Sequence, residues 1–124
     1  TPKEAEAPIE AMVQAPPPLS PATKCGRLTH SVAGPPSYID FVKATLPPGT
    51  CLEGLKIVID SANGAACSVA PRVLRELGAG VVEVASDPRG DNINEGCGAT
   101  CPALLQAAVL EHEADVGVAL DGDA

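Results

Sequence analysis

The sequence has no tryptophan, one phenylalanine and one tyrosine in 124 residues. A core so poor in aromatics must be built from Val, Leu, Ile and Ala, which suits buried parallel strands flanked by helices. The same scarcity argues against a nucleic-acid surface that works by base stacking. Cationic side chains are also few: 8 Lys and Arg stand against 16 Asp and Glu, for a formal charge of -8. A surface of that sign repels phosphate backbones and anionic lipid headgroups, so neither nucleic acid nor a membrane is an expected partner. No run approaches the ~20 apolar residues of a membrane helix. No charged-then-apolar signal segment opens the chain either, which makes the cytoplasm the expected location. Cys25, Cys51, Cys67, Cys97 and Cys101 are odd in number and form no CxxC pair, so neither a disulfide framework nor a zinc knuckle is indicated. Cys97 and Cys101 have the separation of half a metal site, but His30 and His112 offer no ligand spacing with them. An initiator Met is absent too, and the last residues are an acidic turn, Asp121-Gly122-Asp123-Ala124. Such ends are expected of a piece of a longer protein.

Proline, by contrast, is plentiful, and most of the 13 prolines fall in the first third. That leaves a foldable stretch of roughly 80 residues, enough for one small domain. Residues 1–15 have helical spacing, with Ile9, Met12 and Val13 on one face and Pro8 tolerable only near a first turn. Nothing nearby offers that helix a packing partner. Residues 15–36, rich in Pro, Gly, Ser and Thr and including Pro16-Pro17-Pro18, read as an extended interdomain linker. Ser37 is the expected cap of a helix carrying Tyr38, Phe41, Val42 and Leu46 on one face, with Asp40 three residues on. Pro47-Pro48-Gly49 ends it.

From there strand and helix alternate. Leu55-Lys56-Ile57-Val58-Ile59-Asp60 is a short β-branched run of the kind that fills a buried strand. Val69, Val73, Leu74 and Leu77 fall at helical spacing before Gly78. Val81-Val82-Glu83-Val84 reads as a second strand; Pro102 opens a helix striped with Leu104, Leu105, Ala108 and Val109; and Val116 to Leu120 reads as a third strand. This β-α-β-α-β order predicts an α/β fold, a three-layer α/β/α domain with a mainly parallel sheet and right-handed crossovers. The loops after Asp60, Val84 and Leu120 then share the sheet edge where open α/β folds bind ligands.

Two of those loops carry candidate chemistry. Asp121 and Asp123 are carboxylates two residues apart, separated by a glycine that permits a tight turn, and hard oxygen donors suit Mg2+. The bland alternative is an exposed acidic turn. Asp60-Ser61-Ala62-Asn63-Gly64-Ala65-Ala66 is a strand-to-helix loop whose amides are placed to face an anion, or else an ordinary small-residue connection. It has no P-loop lysine, so nucleotide binding is unsupported. His112, between Glu111 and Glu113, reads as a surface residue, Asn92 and Asn94 as turn residues, and Cys97 and Cys101 as small apolar groups. None is assigned catalysis. An Asp-x-Asp after a strand also suits an aspartyl-phosphate phosphatase, but the other loops of that chemistry are not evident.

Together the motifs resemble the second domain of the alpha-D-phosphohexomutases. The resemblance is carried by Gly54 to Ala66, then Ala70-Pro71-Arg72-Val73-Leu74-Arg75-Glu76-Leu77-Gly78-Ala79, and the closing Ala114 to Ala124, which is similar to the strand entering the family's DGDxDR loop. Tyr38-Ile39-Asp40-Phe41 matches the domain's opening helix, and Gly26-Arg27-Leu28 loosely matches the crossing from the first domain. Gly90-Asp91-Asn92-Ile93-Asn94-Glu95-Gly96-Cys97-Gly98-Ala99-Thr100 resembles the loop of the phosphoglucosamine mutase branch.

The resemblance implies that residues 1–36 are the end of a first domain and a linker, and that residues 37–124 are domain II as far as the metal-binding loop. It implies interconversion of glucosamine 6-phosphate and glucosamine 1-phosphate through phosphoserine and a bisphosphate intermediate. Asp121 and Asp123 would be two of three Mg2+-binding aspartates; the third, the following arginine, the phosphoserine and the sugar- and phosphate-binding domains would lie outside the 124 residues. The chain alone is then expected to be inactive, and its partners to be a phosphorylated hexosamine and the other domains of its own protein. A phosphomannomutase or phosphoglucomutase, and a non-catalytic α/β interaction fragment, are the alternatives.

Overall fold

The structure is a computed structural model that describes the whole chain except residues 1, 20, 22–24, 31 and 32. It divides into two units, Thr1–His30 and Ser31–Ala124. The parts of the predicted first helix and linker that fall on those seven positions lie outside the described residues.

In the first unit, helix α1 runs Lys3–Gln14, with Glu4 and Glu6 in its first turn where the helix dipole favours acids. Pro8 sits inside the helix, past the first turn where proline costs nothing, so one i→i−4 bond is lost. No residue of α1 is buried, and Ile9, Met12 and Val13 stay exposed. The described residues from 15 to 30 carry neither helix nor strand.

In the second unit, α2 spans Gly34–Ala44, starting earlier than the sequence predicts. Ser37 is not the cap. Pro35 and Pro36 occupy the first turn, where a missing N–H is no loss, and the Ser37 amide already bonds the Ala33 carbonyl at 3.1 Å. Nor is the inward residue one of the four expected: Ile39 is buried at 1% exposure, while Tyr38 and Phe41 stack on each other at 6.3 Å and remain outside. The helix ends at Thr45, whose Oγ1 donates to the Val42 carbonyl, just before the Pro47-Pro48-Gly49 turn.

Strands β1 (Lys56–Asp60), β2 (Gly80–Val84) and β3 (Val116–Ala119) form a sheet in the order β2-β1-β3, and both pairings are parallel. β1 is central, with Ile57 set between Val81 and Val116, and its last four residues are buried. That is why its sequence is a continuous apolar run rather than an alternation. A 3-10 turn at Ala65–Ser68 leads into α3 (Ala70–Glu76), which Gly78 ends at φ +100°; α4 (Ala103–Glu111) joins β2 to β3. Val58 packs with Leu105 and Ala108 of α4, with Val82, Val84, Val109 and Ala119 around them. Ile59 points to the opposite face, where α2 and α3 lie. Helices therefore cover both faces of a parallel sheet, in the predicted α/β/α order.

Candidate metal centre

Because all strands run the same way, their C-terminal ends and the loops that follow meet at one edge. Asp60 is the tie between the first two loops. It is fully buried, with Oδ1 accepting from the Ala62 amide at 2.9 Å and Oδ2 from the Gly98 amide at 2.8 Å. A buried carboxylate is tolerable only when such donors replace its water. Asn63 adds a second tie: its Oδ1 accepts from the Asp87 amide at 3.0 Å and its Nδ2 donates to the Asn92 carbonyl at 3.3 Å. Asn92 in turn folds its own loop, donating to the Asp87 carbonyl and accepting from the Arg89 amide, both at 2.9 Å.

The loop from Asp60 to Ala66 does not cradle an anion. The amides of Ala62, Asn63, Gly64 and Ala65 each bond an acceptor within the protein: Asp60 Oδ1 and the carbonyls of Ala85, Ser61 and Gly122. Ala62 and Asn63 hold left-handed φ angles of 52° and 50° to make those bonds. For alanine that conformation is strained and persists only where the surroundings over-determine it. Here they do, since the Ala62 carbonyl also accepts from the Asn94 amide at 3.0 Å. The expected alternative, a structural βα connection, is what the hydrogen bonds describe.

The loop after β3 rests on the other two. The Leu120 amide donates to the Asp60 carbonyl and the Ala99 amide to the Leu120 carbonyl, both at 2.9 Å, and the Ala65 amide reaches the Gly122 carbonyl at 2.9 Å. Asp121 and Asp123 are both exposed. Asp121 Oδ1 accepts from Asn94 Nδ2 and from the Gly122 amide, each at 2.7 Å. These bonds, the Asn94 side chain first, hold the Asp121 carboxyl below the ordinary aspartate range. Among the described residues no donor engages Asp121 Oδ2 or the Asp123 carboxylate. Two carboxylates with unengaged oxygens fit a hard cation by donor type. They do not make a complete ligand set, and among the described residues no group of three or more His, Cys, Asp or Glu is arranged to hold a metal.

The remaining sequence candidates lie apart from this pair or in support of it. Cys97 is buried and its thiol is pushed up, first by burial and then by nearby Asp60. Cys67 is half-buried and also pushed up by burial. His112 ends α4, where its carbonyl accepts from Lys56 Nζ at 2.6 Å at the opposite end of β1. A cavity of about 420 Å³ opens on the α2/α3 face, its lining including Tyr38, Val42, Val69, Val73, Val118 and Asp123. Its walls are almost wholly apolar, which suits packing rather than a charged sugar phosphate. The sequence offers Asn94 only as a turn residue and Asp60 only as the start of a loop, so the part each plays at the carboxylate edge was missed. Asn94 lies 27 residues from the carboxylate it serves, and only its place in an Asn- and Gly-rich loop hinted at a special conformation.

Residues 36–124 match the family described as phosphoglucomutase/phosphomannomutase, alpha/beta/alpha domain II. The chain belongs to this family. The matched segment of the phosphoglucomutase/phosphomannomutase domain II runs from within α2 through the whole sheet to the Asp121 loop. Among curated relatives, the phosphoglucosamine mutase of Neisseria meningitidis serogroup B is 50% identical over 120 residues, covering 97% of this chain and 27% of the relative. That of Chromobacterium violaceum is 50% identical over 115 residues, 93% of this chain and 26% of the relative. That of Rhodospirillum centenum is 60% identical over 99 residues, 80% of this chain and 21% of the relative. The chain thus spans about a quarter of the length of the relatives it matches. Among the described residues no helix is long and apolar enough to cross a membrane.

Proposed function

We propose that this chain is part of a phosphoglucosamine mutase, to which residues 37–124 contribute domain II and residues 1–36 the approach from a preceding domain. The reaction is the interconversion of glucosamine 6-phosphate and glucosamine 1-phosphate, with a phosphoserine elsewhere in the protein donating to form a bisphosphate that returns a phosphoryl group. The observation that carries this reading is the identity of 50–60% to phosphoglucosamine mutases over 99 to 120 residues, beside a domain II match that runs through residues 36–124. The mutase is cytoplasmic, and its substrate is a phosphorylated hexosamine.

In this reading Asp121 and Asp123 hold Mg2+. The ion supplies positive charge where negative charge develops on the transferring phosphoryl group. The chain's own part is positional. β3 carries Asp121 to the ligand edge of the sheet, the Ala65 and Gly122 backbones fix the height of the loop, and hydrogen bonds from Asn94 and the Gly122 amide hold the Asp121 carboxylate in place.

Isothermal titration of Mg2+ against the full-length protein and its Asp121→Asn variant tests the metal role, with weaker binding expected in the variant. A coupled assay for glucosamine 1-phosphate, run beside mannose and glucose phosphates, tests the sugar. Equal turnover of mannose or glucose phosphates would point to another phosphohexomutase, and unchanged Mg2+ affinity in the variant would remove Asp121 from the site.

A further inference from the structure

Asp121 does not stand alone in its loop. Its Oδ1 already carries two donors, Asn94 Nδ2 and the Gly122 amide, both at 2.7 Å, which leaves Oδ2 as the unengaged oxygen. Asn94 is itself anchored. Its amide donates to the Ala62 carbonyl at 3.0 Å, and its φ of 59° is a left-handed angle that Asn adopts more readily than most residues. Its Oδ1 lies close against Gly98, only 2.7 Å from where a Cβ on that glycine would stand. The neighbouring Ile93 lies against the next residue of the same carboxylate loop, its Cγ2 2.4 Å from a Cβ placed on Gly122. Adjacent residues of the loop after β2 thus grip adjacent residues of the loop after β3, one through a hydrogen bond and one through contact.

We propose that Asn94 is the positioning residue of the carboxylate pair: by occupying Asp121 Oδ1 it selects Oδ2 as the oxygen offered to a divalent cation. This rests on the reading of Asp121 as a metal ligand. Hydrogen bonds behind a ligating carboxylate fix its orientation, and their loss commonly weakens metal binding by roughly 10–100-fold.

The test is Mn2+ affinity of the full-length protein, read from the electron paramagnetic resonance signal of the free ion and so independent of turnover. Asn94→Gly removes the donor while keeping the left-handed backbone unstrained. It is expected to weaken Mn2+ binding roughly tenfold. The same change made on top of Asp121→Asn is expected to add no further loss, because its effect passes through that carboxylate. Undiminished affinity in Asn94→Gly, with Asp121→Asn weakened, would overturn the role of Asn94 and leave the metal site standing. A loss of equal size with and without the Asp121 carboxylate would also overturn it, since general loosening of the loop would then be the cause. Unchanged affinity in Asp121→Asn would remove both readings.

Discussion

A Cβ added to Gly64 would stand 2.2 Å from the carbonyl oxygen of Gly122. The two loops approach so closely because the Ala65 amide bonds that carbonyl. Gly64 has φ −109°, which alanine adopts freely, so the requirement at this position is for space rather than for backbone freedom. Gly64→Ala is therefore expected to destabilise the protein by about 1–3 kcal/mol, as overpacking does. If Asp121 and Asp123 hold Mg2+ as proposed, displacing their loop should also weaken its binding. Denaturant midpoints and calorimetric titration measure the two effects.

Asp60 binds the edge from beneath, with its two oxygens taking the Ala62 and Gly98 amides. Asp60→Asn replaces one acceptor with a donor that faces a backbone N–H. Leaving a buried group unsatisfied costs about 1–3 kcal/mol, and more when a charge-assisted bond is lost. The expected result is a lower melting temperature with faster amide exchange at Ala62 and Gly98, read by hydrogen-deuterium exchange. Unchanged exchange at both amides would show that the carboxylate is not what holds the loops together.

Lys43 of α2 forms an ion pair with Glu76 of α3, which Arg72 also engages at 2.7 Å. The Glu76 carboxyl is lowered, first by the Lys43 hydrogen bond, and the Lys43 ammonium is raised, first by Glu76. A lowered acid stabilises the fold above its unfolded pKa and loses that contribution as pH falls through the folded value; a raised amine contributes below its unfolded pKa and loses it as pH rises through the folded one. The pair therefore acts between the carboxylate and lysine ranges. The melting-temperature difference between wild type and Glu76→Gln should shrink in acid and in about 1 M salt, where the screening length is near 3 Å. A difference that persists in both would assign the effect to packing.

Cysteine reactivity should follow burial. Cys25 and Cys51 are exposed, whereas Cys97 is buried with its thiol pushed up. Because the thiolate is the nucleophile, iodoacetamide is expected to label Cys25 and Cys51 in the native protein and Cys97 only after unfolding. Peptide mass spectrometry over a time course reads the order, and early labelling of Cys97 would contradict its burial.

Much of the fold was legible because its signals are local. The β-branched run at Ile57, Val58 and Ile59, the stripe of Leu105 and Ala108, and the helix-ending Gly78 each announce an element within a few residues. The start of α2 was misread because Ser37 resembles a cap, while Pro35 and Pro36 serve equally well inside a first turn. The inward face of that helix was misread for a different reason. Tyr38, Val42 and Ile39 are all apolar, and which of them is buried depends on where α3 lies.

By itself, then, the amino-acid sequence determined the element order, the aliphatic character of the core, and the carboxylates Asp121 and Asp123 at the end of a strand. All of these are properties of neighbours along the chain. Only the tertiary structure decided that Asp60 is a buried tie, that the amides of Ala62 to Ala65 are spent within the protein, and that Asn94 holds Asp121. The deciding bonds join residues on different loops, 27 apart for Asn94 with Asp121 and 38 apart for Asp60 with Gly98. Parallel strands bring such loops to one edge only once the sheet has formed, so no local pattern records which donor will meet which acceptor.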